Sequence, residues 1–134
     1  MELQDSTQAT RASVALIDGD IHVRRAVQLR LRAGLFDVRA YASGWAMLAE
    51  IEQRTDCVVV RDKMVEIDGF ELLRHLRDRG WQGPAILITS TPSPELAATA
   101  AGVGFAAVLD RPLVDDLVLN AVAAATQRAR GLAA

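Results

Sequence analysis

The chain has 134 residues, of which 51% are apolar and 24% are charged. This size and balance favour one globular domain with a substantial core over a disordered chain. The formal net charge of −2 gives no indication of a surface for nucleic acid or anionic membrane. The single cysteine, Cys57, excludes an internal disulfide and suits the reducing cytoplasm, where we expect the protein to act.

The chain is predicted to consist of a short arm, one domain and a short tail. Residues 1–13 are polar and lack the basic-then-apolar order of a signal peptide, so they are predicted to form a flexible arm. The domain is predicted over 14–128 and the tail over 129–134. No apolar stretch is long enough to cross a bilayer.

The first predicted element is a strand. Residues 14–17 form a continuous apolar run that ends at an Asp-Gly-Asp sequence, a pattern typical of a strand buried on both faces. Asp20 is predicted to cap a helix over 21–33, which Gly34 ends. The apolar residues of that helix recur at every fourth position and form one stripe, so Arg24, Arg25 and Arg32 are predicted to be able to reach solvent.

The same alternation continues along the chain. Further strands are predicted at 38–41, 57–60, 85–88 and 106–109, and further helices after Ser43, after Asp68, after Ser93 and over 114–128. This alternation predicts a parallel sheet covered by helices on both faces. In such a fold the site lies beyond the carboxyl ends of the strands. The residues found there are Asp18, Gly19, Arg61, Asp62, Thr89 and Arg111.

Several short sequences at these strand ends carry a family resemblance. They are Ile17-Asp18, Met64 followed by Asp68-Gly69, Ile88-Thr89 and Arg111-Pro112. In this order and spacing they resemble the receiver domain of bacterial two-component response regulators, most closely its FixJ-like branch, over about 14–125. The resemblance implies a flavodoxin-like (βα)5 fold, in which a five-stranded parallel sheet of order 2-1-3-4-5 is flanked by five helices.

The resemblance also implies a chemistry. In the family, an aspartate after the third strand accepts a phosphoryl group from a histidine kinase, and two acidic residues after the first strand hold Mg²⁺. A Thr or Ser after the fourth strand and a Lys after the fifth then contact the phosphoryl oxygens. Carboxylates suit this task because they hold the hard cation, which in turn neutralises the phosphoryl charge.

This chain departs from the family pattern at several positions. Asp18 matches the first acidic residue, but Gly19 stands where the closer metal ligand is expected and offers no side chain. Arg61 takes the position of the phosphoryl acceptor. Thr89 matches the hydroxyl, and Arg111 keeps the charge of the lysine but not its shape.

Asp62, the neighbour of Arg61, is an alternative acceptor. The spacing to Met64 and Asp68 places Arg61 at the acceptor position, and alternation along a strand is expected to turn Asp62 away from the pocket. A local bulge would bring Asp62 back. A phosphorylatable receiver that uses Asp62 in a histidine kinase phosphorelay therefore stays open as an alternative.

The charges of the pocket predict that it binds no Mg²⁺, because a single carboxylate faces two arginines. No other metal and no cofactor are predicted, and Asp20 is expected to cap its helix instead of supplying a ligand. We expect Arg61 to pair with Asp18 and hold the site in one state. The alternative is a decayed site from which Arg61 swings into solvent. The Arg111-Pro112 peptide is expected to be cis.

The sequence thus predicts an atypical receiver, or pseudo-receiver, that is not an enzyme. It is expected to act in bacterial signal transduction through contact with a histidine kinase or another response regulator, or with a second copy of itself through its last two helices. No membrane contact and no direct nucleic-acid contact are expected. A flavodoxin-like cofactor binder is disfavoured, since no Gly/Ser/Thr-rich phosphate loop follows the first strand. The residues expected at the switch and interaction face are Val108, Ala97, Ala98, Leu117 and Ala121.

Overall fold

Five parallel strands form one sheet in the order β2-β1-β3-β4-β5. The computed structural model describes residues 11–51 and 54–131, so most of the predicted arm and the end of the predicted tail lie outside the described residues. The strands are β1 (Ser13–Ile17), β2 (Asp37–Tyr41), β3 (Cys57–Arg61), β4 (Ala85–Thr89) and β5 (Ala107–Asp110). The helices are α1 (Ile21–Ala33), α2 (Gly44–Glu50), α3 (Gly69–Asp78), α4 (Pro94–Val103) and α5 (Leu117–Ala129). The predicted fold and strand order are confirmed.

Side-chain caps begin four of the five helices in the described part of the chain. Each cap accepts a hydrogen bond from a backbone N–H of the first turn, which satisfies donors that the helix leaves unpaired. At Asp68 the bond is reciprocal, because the Glu71 side chain accepts from the backbone N–H of Asp68. The predicted helix starts are therefore confirmed at Asp20, Ser43, Asp68 and Ser93.

The last helix begins later than predicted. The sequence predicts its start at Val114, whereas α5 begins at Leu117. Asp115 has a φ of 52°, in the left-handed region that a right-handed helix cannot include. The N–H of Leu117 donates to the carbonyl of Val114 at 3.3 Å. Residues 114–116 therefore form a turn before the helix.

The sheet separates two apolar layers. Alternate residues of its central strands point to opposite faces, so one face packs against α1 and α5 and the other against α2, α3 and α4. Cys57 is buried in the first layer. Burial, and to a lesser extent the charge of Asp56, raises the pKa of the Cys57 thiol to about 12, so the thiol stays protonated and unreactive at neutral pH.

Candidate functional site

Arg61 lies beside Asp18 at the carboxyl ends of β3 and β1. Ile17 pairs with Val60, which brings the next residues of the two strands to the same level of the sheet. Nη1 of Arg61 is 3.6 Å from Oδ1 of Asp18, an ion pair that is longer than a hydrogen bond. The exposed fraction is 18% for the Arg61 side chain and 2% for that of Asp18. The predicted contact is confirmed, and the guanidinium lies in the pocket instead of in solvent.

Two residues that follow Asp18 in the chain also donate hydrogen bonds to it. Its Oδ1 accepts a hydrogen bond from the N–H of Asp20 at 2.9 Å. Its carbonyl accepts one from Nη1 of Arg24 at 2.8 Å. Arg24 is half-buried, because its position one turn after the start of α1 directs the side chain back over the end of β1. No pattern in the sequence indicates this contact directly. Arg25 and Arg32 are exposed, as predicted.

Asp62 lies beside Thr89 at the carboxyl ends of β3 and β4. The Thr89 hydroxyl donates to Oδ2 of Asp62 at 2.8 Å, and the backbone N–H of Lys63 donates to Oδ1 at 2.8 Å. Asp62 is 3% exposed and Thr89 is fully buried. The expectation that Asp62 turns away from the pocket is wrong, since its carboxylate contacts one of the predicted pocket residues.

Strand alternation explains both the prediction and its failure. Val60 and Leu87 point into the same apolar layer, and the strand period of two places Asp62 and Thr89, two residues further along, on that side as well. Arg61 points to the opposite side. The alternation therefore places Asp62 and Arg61 on opposite faces of the sheet, as expected. It also places Thr89 on the same face as Asp62. The predicted site falls into two units: the Arg61–Asp18 pair and the Asp62–Thr89 pair.

Gly19 and Arg111 lie at the rim of the site. A Cβ added to Gly19 would meet one described atom within 4 Å, the carbonyl oxygen of Ala42 at 3.8 Å, so a Cβ fits at this position without a clash. The backbone N–H of Arg111 donates to the carbonyl of Thr89 at 2.8 Å. The peptide between Arg111 and Pro112 is cis, as predicted.

Asp20 serves α1 as its cap. Its carboxylate accepts hydrogen bonds from the N–H groups of His22 at 2.9 Å and Val23 at 3.3 Å. The bonds from Val23 and His22 hold the pKa of Asp20 below its ordinary value, and the nearby charges of His22 and Arg111 add to this effect. The carboxylate is therefore committed to the helix start, as predicted.

The residues at the ends of β1 and β3 do not fit Mg²⁺. This ion takes about six oxygen ligands in near-octahedral geometry. Oδ2 of Asp18 is buried and has no hydrogen-bond partner among the described residues, but the guanidinium of Arg61 lies against Oδ1 and Gly19 supplies no ligand. Within 11–51 and 54–131, no three acidic, His or Cys side chains are grouped so that they could hold a metal.

Gly69 lies where α3 packs closely against the end of β3, next to the site. A Cβ at this first residue of α3 would lie 2.5 Å from the carbonyl oxygen of Arg61 and 3.1 Å from Cδ1 of Leu87. The Gly69 N–H donates to the carbonyl of Asp62 at 3.0 Å. The sequence marks this glycine as part of a motif, but only the structure shows that it lets α3 approach the end of β3.

Comparison with known proteins identifies the fold and its family. The family model for the response regulator receiver domain matches residues 14–123. The chain belongs to this family. The chain is 29% identical to the transcriptional regulatory protein FixJ of Rhizobium meliloti over 88% of its own length and 58% of that protein. It is 36% identical to the C4-dicarboxylate transport transcriptional regulatory protein DctD of Pseudomonas aeruginosa over 84% of its own length and 24% of that protein.

Solved receiver domains have the same fold. The signal receiver domain of a putative LuxO repressor from Vibrio parahaemolyticus superposes with a TM-score of 0.84 at 18% identity, covering 90% of this chain and 93% of that one. The chain spans about half the length of the first curated relatives it matches. The protein is thus a receiver domain of two-component signalling with FixJ-like relatives. In the described residues, no helix is both long and apolar enough to span a membrane.

The predicted switch and interaction face of the receiver divides between two places. Ala97 of α4 and Val108 of β5 line one groove of about 440 Å³, together with Pro92 and Leu96. Ala98 is exposed on the same helix. Two further predicted residues belong to α5: Leu117 is 38% exposed, and Ala121 is half-buried against the layer beneath that helix.

Proposed function

We propose that this receiver domain does not accept a phosphoryl group and acts in bacterial signalling through protein–protein contact. The observation that carries the proposal is the Arg61–Asp18 pair, which puts a guanidinium where the resemblance expects the acceptor carboxylate. Arg61 has no nucleophilic oxygen, and its charge repels a divalent cation. Both requirements of the family chemistry are therefore missing at the ends of β1 and β3.

The proposed partners are a histidine kinase, another response regulator or a second copy of the chain. The groove lined by Ala97 and Val108 offers a surface for such contact, and the small side chains of α4 and α5 allow a partner to approach closely. On this proposal the domain is not an enzyme, and it contacts neither nucleic acid nor membrane. It would titrate a kinase or hold an output in a fixed state.

A second candidate, phosphorylation of Asp62, has one observation in its favour. Asp62 is a carboxylate that contacts Thr89, the residue at the hydroxyl position of the family. Two observations oppose it. Asp62 is almost fully buried, and each of its oxygens already accepts a hydrogen bond. An attacking carboxylate would have to break at least one of these bonds and gain access to the donor.

Acetyl phosphate separates the two candidates. We expect the purified domain to show no mass gain after incubation with acetyl phosphate and Mg²⁺, and no change in its amide spectrum with beryllofluoride. A phosphorylatable receiver treated in parallel provides the control for the reagents. A mass gain that peptide mapping assigns to Asp62, and that the Asp62→Asn variant loses, would overturn the proposal.

Replacing Arg61 by alanine is expected to lower the free energy of unfolding by about 1–2 kcal/mol. Removing one partner of a fully buried ion pair costs roughly 3–5 kcal/mol, and the smaller figure reflects the long contact and the partial exposure of Arg61. Chemical denaturation measures the difference. Arg25→Ala, at an exposed position on α1, is the matched control and should leave stability unchanged. Equal stability of both variants would mean that Arg61 only marks a decayed site.

A further inference from the structure

The carboxylate of Asp62 is buried at the end of β3. The backbone hydrogen bonds between the strands do not depend on it. Asp62 is 3% exposed, and a carboxylate so placed is costly unless donors surround it. Both of its oxygens are in fact satisfied, Oδ1 by the N–H of Lys63 and Oδ2 by the hydroxyl of Thr89, each at 2.8 Å. The bond to Thr89 joins the ends of two neighbouring strands through their side chains.

The bond continues into the loop after β4. Oγ1 of Thr89 accepts the backbone N–H of Thr91 at 3.0 Å. The hydroxyl of Thr89 therefore gives its proton to Asp62 and takes one from Thr91, which fixes its orientation. Hydrogen bonds that share an atom in this way reinforce one another in a low-dielectric interior. The two backbones are tied here as well, since the N–H of Asp62 donates to the carbonyl of Ile88 at 2.9 Å.

We infer that Asp62 is a built-in anion that holds the Thr89 hydroxyl and thereby fixes the loop over 90–92 in one conformation. The inference rests on the proposed function, since a receiver that does not take phosphate has no incoming anion to bind this hydroxyl. Asp62 supplies the acceptor permanently. Pro92, the last residue of this loop, lines the groove with Ala97 and Val108. A partner that binds this groove would thus contact a surface whose conformation stays the same.

Hydrogen exchange in an Asp62→Leu variant tests the inference. Leucine removes the acceptor but leaves Thr89 and Thr91 in place. We expect the Thr91 amide to exchange about tenfold faster than in the unmodified protein, as the loss of roughly 1.4 kcal/mol of local stability implies. The Thr89→Ser variant retains the hydroxyl and should keep the slow rate, as should Lys63→Ala at an exposed side chain. An unchanged Thr91 rate in Asp62→Leu would overturn the inference.

A measurement on the unmodified protein covers the case in which Asp62→Leu does not fold. Three-bond couplings report the χ1 angle of Thr89, and we expect a single rotamer, unaltered by acetyl phosphate. Averaging between rotamers would contradict the built-in anion. The failure of this inference can be distinguished from the failure of the proposed function. A phosphate adduct on Asp62 refutes both proposals, whereas a mobile Thr89 without any adduct refutes the present inference alone.

Discussion

Replacing Gly19 and Arg61 together by aspartate is expected to turn this domain into a receiver that binds Mg²⁺ and takes phosphate from acetyl phosphate. The two changes place three carboxylates at the ends of β1 and β3, with Asp18 as the third. Position 19 accepts a Cβ without a clash, and the side chain at position 61 points toward Asp18. Carboxylates so close together repel one another until a cation joins them.

Two measurements follow the conversion. The melting temperature of the double variant should rise with Mg²⁺ concentration, as it does whenever a ligand binds only the folded state, while that of the unmodified protein should not. Intact mass after acetyl phosphate treatment should show an adduct that maps to position 61. Gly19→Asp alone is the control, because it adds a metal ligand but keeps the guanidinium. If the double variant folds and its melting temperature does not depend on Mg²⁺, then Arg61 and Gly19 are not the reason that the site binds no Mg²⁺.

Gly69→Ala is expected to destabilise the domain by about 1–3 kcal/mol, the usual cost of overpacking. The new Cβ would lie 2.5 Å from the carbonyl oxygen of Arg61, and a backbone atom cannot move aside as a flexible side chain does. Relief requires α3 to move away from the end of β3, which disturbs both Arg61 and Asp62. Thermal unfolding and chemical denaturation measure the change.

Gly102→Ala is the matched control for this prediction. Gly102 lies within α4, and a Cβ there would meet no described atom within 4 Å. Alanine in the interior of a helix is favoured over glycine by roughly 0.5–1 kcal/mol, so this variant should be slightly stabilised. Opposite signs for the two substitutions are the expected result. A stabilised Gly69→Ala variant would show that the contact with Arg61 is relieved without cost.

Much of the fold could be predicted because its signals are local. Continuous apolar runs identified the central strands, and the caps Asp20, Ser43 and Ser93 identified helix starts, since each depends on a few neighbouring residues. The start of α5 was predicted too early because the left-handed conformation of Asp115 leaves no pattern in the sequence. Motif spacing then placed the site residues at the correct strand ends.

The contacts within the site were harder to predict. The Arg61–Asp18 pair could be foreseen, because both residues were assigned to one pocket and carry opposite charges. The Asp62–Thr89 pair could not, because it depends on which face of the sheet Thr89 occupies. That face is set by the register of β3 against β4, and the sequence of either strand alone does not contain it. The contact between Arg24 and the carbonyl of Asp18 could not be predicted either. Every residue type has a backbone carbonyl, so the sequence does not single out this partner.

The position of β3 between β1 and β4 has a consequence for how this domain can be recombined with its relatives. In the described part of the chain, the hydrogen-bond partners of the Thr89 side chain and of its carbonyl, namely Asp62, Thr91 and Arg111, all come after the start of β3. A chimera that takes its first two strands from another receiver would therefore inherit the Asp62–Thr89 pair intact. The ion pair of Arg61 is different, because its carboxylate arrives with β1. The two pairs therefore differ in how they can be transferred. The Asp62–Thr89 pair lies within one part of the chain and moves with it, whereas the Arg61–Asp18 pair needs residues from both parts.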